Sequence, residues 1–312
     1  MHCMCNAEIY FTLRGIKMSE YVLSCCSTAD LTEEHFIERN ISYICFHFNL
    51  DGIEYKDDLG RSVPFDEFYA KMAAGADTST SQVNIDEYET YFRNFLEQGF
   101  DILHVSLSSG LTGAINSATI AAQRLKEEYP DRTILIADSL GASSGYGLLM
   151  DKLADLRDEG KSLTELYNFV TQNRLKLHHW FFSTDLSFYV KGGRISRAEG
   201  LIGTVLSICP LLNMDNLGRL KPRYKIRTKK KVIEQIVEKM AEHADDGENY
   251  SGKCYVCHSG CIEDAKAVAR LVEDRFARLN GKVEIYYVGT TIGSHTGPGT
   301  VALFFWGDER MD

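Results

Sequence analysis

No stretch of about 18 consecutive apolar residues occurs in the 312-residue sequence, so no segment reads as a membrane-spanning helix. Positive charge is in deficit as well. Lys and Arg total 34 against 44 Asp and Glu, a net charge of −10, which argues against general affinity for nucleic acid and allows at most transient contact with a membrane surface. Any role for basic residues must then be local. The pattern G-x-x-x-x-G-K-[ST] is missing, which removes a P-loop nucleotide site. There is no internal repeat and no low-complexity linker. The nine cysteines lack the regular spacing of a small stapled scaffold, so reduced thiols and a cytoplasmic location are expected. Residues 1–17 lack both the apolar stretch and the small-residue cleavage site of a signal peptide. They are expected to form a disordered leader ahead of Met18.

What is present is a soluble composition, 44% hydrophobic and 25% charged, in a chain long enough for two domains of roughly 150 residues. From Tyr21 to about residue 178 the pattern alternates strand and helix, as in a parallel sheet covered on both faces. Strands are expected at Tyr21–Cys25, Ile41–Leu50, Asp101–Leu107 and Thr133–Ala137, and Asp51-Gly52 turns Ile41–Leu50 back into a hairpin with Ile53–Lys56. Asp77–Gln82 reads as a polar loop and Tyr146 as the start of a helix. A second α/β domain, 179–312, is expected to hold a helix near Ala198–Ser207, a hairpin of Leu211–Asp215 with Arg219–Arg227, and two late strands, Val283–Val288 and Val301–Trp306. Between those last strands, Gly293–Thr300 reads as a loop of small residues that holds His295 at the tip of a sheet.

Several groups of residues carry chemistry. Ser108-Ser109-Gly110 follows an apolar strand and precedes a helix, the place where open α/β sheets receive anions on unpaired backbone N–H groups. Thr80 and Ser81 supply further hydroxyls for the same anion. Gly141-Ala142-Ser143-Ser144-Gly145 matches the G-x-S-x-G nucleophile elbow with His295 downstream, though the strand before it ends at Ala137, too early for a sharp elbow. Cys254-x-x-Cys257, beside His258 and Cys261, resembles a metal or redox pair. Residues three apart on a strand point to opposite faces, however, so no metal site is expected. From Arg219 to Lys231 there are eight cations and no acid. Arg219, Lys221, Arg223, Lys225 and Arg227 alternate with Leu220, Pro222, Tyr224 and Ile226, which predicts one cationic strand face suited to an acidic or phosphate-bearing partner.

Taken in order, Ser27-Thr28-Ala29-Asp30-Leu31, Thr80-Ser81-Gln82, Ser108-Ser109-Gly110-Leu111-Thr112-Gly113, Asp138-Ser139, Gly192-Gly193-Arg194-Ile195, Lys225-Ile226-Arg227-Thr228-Lys229-Lys230 and His295-Thr296-Gly297-Pro298-Gly299 resemble the DegV family, fatty-acid-binding proteins that serve as B subunits of bacterial fatty acid kinase. The likeness runs from Met18 to Trp306. It implies a two-domain α/β fold, with a parallel-sheet N-terminal domain, an α/β C-terminal domain and a ligand tunnel between them. It also implies a non-catalytic subunit without cofactor, in which Thr80, Ser108, Ser109 and His295 surround a long-chain carboxylate. Arg194 and Arg227 would meet an ATP-dependent kinase subunit that makes the acyl phosphate for phospholipid synthesis. Cys26 stands where the family commonly has aspartate, and Val83-Asn84 replaces a proline after T-S-Q. The competing expectation is an autonomous hydrolase or acyltransferase using Ser143 or Cys26 with His295; a bare anion-binding regulator is a third.

Overall fold

The computed structural model describes residues 21–197 and 208–312. The expected leader and the helix expected near Ala198–Ser207 lie outside the described residues. In chain order the strands are β1 (Tyr21–Cys26), β2 (Ser42–Ile44), β3 (His47–Leu50), β4 (Ile53–Lys56), β5 (Thr78–Ser81), β6 (Asp101–Ser106), β7 (Ile134–Asp138), β8 (Leu177–Phe182), β9 (Ile208–Met214), β10 (Leu220–Arg227), β11 (Tyr255–His258), β12 (Glu284–Tyr287) and β13 (Val301–Trp306).

The first sheet, in the order β2-β1-β6-β7, is parallel throughout. Parallel strands are covered on both faces, and β6 buries every residue after Asp101. Ile102 packs among residues of the helices Ile85–Leu96 and Ala114–Glu128. Its neighbours Leu103 and Val105 join residues of Ser143–Asp158 and Leu163–Asn173.

The second sheet runs β10-β9-β8-β13-β11-β12 and is antiparallel except between β11 and β12. Period-two alternation divides its faces. Trp180, Phe182, Leu211, Leu303 and Phe305 pack under the helices Lys229–His243 and Ile262–Arg275. Phe181, Leu212, Ala302 and Phe304 look the other way, into the core shared with the first domain. Cys254 and Cys257 fall on opposite sides of the same division.

Several local expectations change. The single strand expected over Ile41–Leu50 is two strands in different sheets: β2 lies along β1, whereas β3 forms an antiparallel sheet with β4 and β5. The Asp-Gly turn between β3 and β4 forms as expected, with both residues at positive φ. Thr80 and Ser81 lie on β5 rather than in a loop, with Thr80 opposite Phe48. The two strands flanking His295 are not neighbours, because β11 lies between β12 and β13. His295 itself sits in the last turn of a short helix, Thr290–Thr296, and not in a loop. The expected domain cut at 178/179 falls inside β8, which belongs wholly to the second sheet.

The basic strand also departs from simple alternation. A bulge between Pro222 and Tyr224 shifts its pairing with β9: Leu220 and Pro222 lie opposite Met214 and Leu212, but Tyr224 and Ile226 lie opposite Leu211 and Cys209. One extra residue reverses which face the following side chains take. The single cationic face is therefore broken. Lys225 and Arg227, opposite Pro210 and Ile208, come round to the face turned toward the first domain.

Candidate functional site

A cavity of about 460 Å³ lies between the two domains, within the ~300–1,000 Å³ usual for small-molecule sites. Its floor is the second sheet. Cys257, Ala302 and Phe181 are in-register partners across β11, β13 and β8, and Phe304 pairs with His179 in the adjoining row. Every second residue of these three strands therefore points into the same space. The first domain supplies Phe46, Leu107 and Ala142, and the chain around the short C-terminal helix adds Val288, Ile292 and Thr296.

Ionisable groups on the floor are kept neutral. His179 donates from Nδ1 to the Leu177 carbonyl (3.1 Å) and accepts at Nε2 from the Ala142 N–H (3.2 Å), and burial holds its pKa well below the usual value. Burial pushes the Cys257 thiol up to about 12. Satisfied, uncharged groups let the wall behave as apolar surface.

One part of the cavity differs. His295 Nε2 lies 2.7 Å from Thr80 Oγ1, and His295 Nδ1 lies 3.2 Å from Arg194 Nη1. A guanidinium can only donate, so Nδ1 accepts and the ring proton resides on Nε2, which donates to Thr80 Oγ1. The Thr80 hydroxyl then has its own hydrogen left to donate. The histidine stays uncharged beside a cation because burial first, and Arg194 second, lower its pKa to about 4. Arg194 is held in turn by the carbonyls of Gly192 (2.6 Å) and Leu111 (3.1 Å). The chain Arg194–His295–Thr80 is thus a fixed run of donors ending at a hydroxyl.

The glycines make this approach possible. A Cβ on Gly192 would stand 2.3 Å from His295 Nδ1, and Gly297, at φ 69°, ends the helix against the Phe188 ring. A second hollow shares Leu111, Arg194 and Leu220 with the cavity and is lined further by Gly110, Gly193, Arg219 and Lys221. Basic side chains thereby gather at the polar part of the cavity, despite the acidic whole.

Of the expected site residues, Thr80, His295 and Arg194 come together. Ser108 does not join them: it is buried, donates from Oγ to the Gly218 carbonyl (2.8 Å) and accepts from the Gly110 N–H. Ser109 is exposed outside the cavity lining, its N–H on Asp138 Oδ1 (3.2 Å). Arg227 is exposed at the end of β10 and does not line the cavity. Arg194 was expected at a partner surface and is found against the histidine. Gln82 was not singled out; it accepts from Thr112 (2.9 Å) and donates to Ser117 (3.3 Å), tying β5 to the start of the Ala114–Glu128 helix. Hydroxyls at positions 112 and 117 were its only signal in the sequence.

The hydrolase arrangement does not form. Ser143 opens its helix at φ 54°, three residues earlier than expected, but its hydroxyl donates to Asp30 and lies 3.3 Å from Cys257 Sγ, not near His295. Asp30 is no base for it, since burial and the neighbouring Asp57 carboxylate raise its pKa well above the usual range. Cys26 is fully buried, 3.4 Å from Tyr88 Oη and 3.7 Å from His104 Nε2, with its thiol pushed up to about 11. A protonated thiol is a poor nucleophile.

These features define a two-domain α/β binding protein with an interdomain cavity, largely apolar and polar in one place. The family model described as "Uncharacterised protein, DegV family" matches residues 26–308. A DegV domain-containing protein of Clostridium perfringens is 35% identical over 293 residues, which is 94% of this chain and 99% of that protein. Among solved structures, a Thermus thermophilus DegV family protein described for its fatty acid binding matches with a TM-score of 0.81 at 27% identity, over 92% of this chain and 99% of that one. A fatty acid binding DegV family protein from Streptococcus agalactiae matches with a TM-score of 0.78 at 25% identity, over 94% and 100%. The chain belongs to the DegV family. Among its described residues no helix is long and apolar enough to cross a membrane.

Proposed function

We propose that this protein binds one long-chain fatty acid in the interdomain cavity, with the carboxylate accepting from Thr80 beside His295 and Arg194. The observation that carries the reading is a largely apolar chamber in which Arg194, the one charged side chain among the described lining residues, acts through a neutral histidine on a hydroxyl. A carboxylate is the acceptor such a donor run favours, because a hydrogen bond to a charged group is stronger than one between neutral groups. Burying a sixteen-carbon tail stabilises the complex by roughly 12 kcal/mol at ~0.8 kcal/mol per methylene, before ordering costs. The related proteins from Thermus thermophilus and Streptococcus agalactiae support the ligand class.

In this reading the protein performs no chemistry itself. It presents the carboxylate to a separate ATP-dependent kinase subunit, which forms the acyl phosphate used in phospholipid synthesis. Arg219 and Lys221 at the polar hollow, with Lys225 and Arg227 on the domain-facing side of β10, support contact with a phosphate-bearing or acidic partner. The test is acyl-phosphate formation from ATP by a purified bacterial fatty acid kinase subunit supplied with the oleate-loaded protein. Arg227→Ala is expected to lower turnover about tenfold or more while oleate affinity stays unchanged. Equal loss of oleate binding rejects that division of labour, and no acyl phosphate with the unaltered protein rejects the kinase partnership.

A further inference from the structure

Behind the cavity floor, on the opposite face of β8 from His179, three metal-ligand side chains converge from three separate elements. His178 Nε2 lies 2.9 Å from Asp308 Oδ1, and His243 Nδ1 lies 3.2 Å from the same oxygen. One ligand atom from each of the three lies within 4.8 Å of the others. Tetrahedral zinc with ligand bonds near 2.0–2.1 Å needs donors about 3.3 Å apart, so adjustments of side chains alone close the set.

The three are held in place by packing that owes nothing to an ion. The His178 ring is sandwiched between Phe305 (centroids 5.1 Å, 2° between planes) and His243 (5.0 Å, 20°), and His243 stacks on Trp180 (5.8 Å, 19°). Asp308 is fixed through its backbone, its N–H donating to the His243 carbonyl (3.0 Å). Next to it, Ala244 and Gly307 form an antiparallel bridge. Arg310, two residues on, turns its guanidinium to the carbonyls of Leu140, Arg174 and Asp215. His178 is 3% exposed, whereas the other two reach solvent, which leaves room for water ligands.

We propose that His178, His243 and Asp308 bind a divalent first-row transition ion of the zinc class, with water completing its coordination. Two imidazoles and a carboxylate suit zinc, cobalt or nickel rather than calcium or magnesium, which prefer oxygen donors. The ion ties the start of β8, the end of the Lys229–His243 helix and the segment after β13 into one unit.

The test is an absorbance titration of the full chain with Co²⁺ at near-neutral pH, since cobalt reports its donor atoms. The expected result is one saturable site with visible bands of nitrogen and oxygen ligation and no thiolate charge-transfer band. His243→Ala and Asp308→Asn, both on partly exposed positions, should each weaken it about tenfold or more. No saturable binding at millimolar Co²⁺ overturns the proposal. So does a thiolate band at saturation, which moves the ion to cysteines, or unchanged affinity in either variant. Circular dichroism of both variants confirms that they are folded.

Discussion

Thr80 Oγ1 and His295 Nε2 meet at 2.7 Å although 215 positions separate them in the chain. One sits on β5 of the small antiparallel sheet and the other in the last turn of the helix Thr290–Thr296. Their contact links the two domains at the polar part of the cavity, as does the Arg194 hydrogen bond to the Leu111 carbonyl. It also orients the threonine hydroxyl, because Arg194 fixes the histidine tautomer from the other side.

Thr80→Val keeps the side-chain shape and removes the hydroxyl. It leaves both His295 and a bound carboxylate short of a partner, a loss of about 1–3 kcal/mol. Displacement of a fluorescent fatty acid by palmitate is expected to show affinity reduced roughly 5- to 100-fold. Unchanged affinity would place the carboxylate elsewhere.

Gly192→Ala changes no cavity-lining residue, yet its methyl would stand 2.3 Å from His295 Nδ1. The ring must move and give up Arg194, Thr80 or both. The expected outcome is weaker palmitate binding with near-normal thermal stability, together with a rise of the His295 pKa above about 4 as Arg194 loses contact, read by NMR titration of the imidazole. A variant that binds palmitate normally with His295 still titrating near 4 contradicts the relay.

Acidification should destabilise the fold through its buried histidines. His295, His258 and His178 are held at about 4 and His104 at about 3, in each case chiefly by burial, and His179 lies well below its usual value. Unfolded histidines titrate near ~6.5, so between there and about 4 the unfolded chain binds more protons than the folded one. Stability from these groups is complete above ~6.5 and falls as pH drops through that window. Asp30 and Asp57 act in the opposite direction, since burial raises both and the folded state holds their protons longer. With five histidines against two carboxyls, the melting temperature is expected to fall on acidification, and less steeply in His295→Gln. A melting temperature that stays flat or rises contradicts this balance.

The parallel domain was legible because its signals are local. Apolar runs, an Asp-Gly turn and strand-then-helix alternation each act over a few residues. Thr80 was named for its hydroxyl but placed in a loop, since β5 is a run of hydroxyl residues with no apolar period and exists through pairing with β3. The bulge at Pro222 left no pattern to read; Leu220, Pro222, Tyr224 and Ile226 alternate as if the strand were regular, and only the register with β9 divides them. Ser108 and Arg194 were read by residue type at plausible positions. Which one reaches the cavity depends on contacts with Gly218 and His295, 110 and 101 positions away, and no local rule reports those.

The most direct test is native mass spectrometry of the protein purified from a bacterial host, beside Ala302→Trp, which places an indole on the cavity floor. The account predicts a non-covalent adduct with the mass of a long-chain fatty acid on the unaltered protein, lost or shifted to shorter chains in Ala302→Trp. A protein that carries no such adduct and takes up none from added palmitate, or an adduct indifferent to Ala302→Trp, would contradict it.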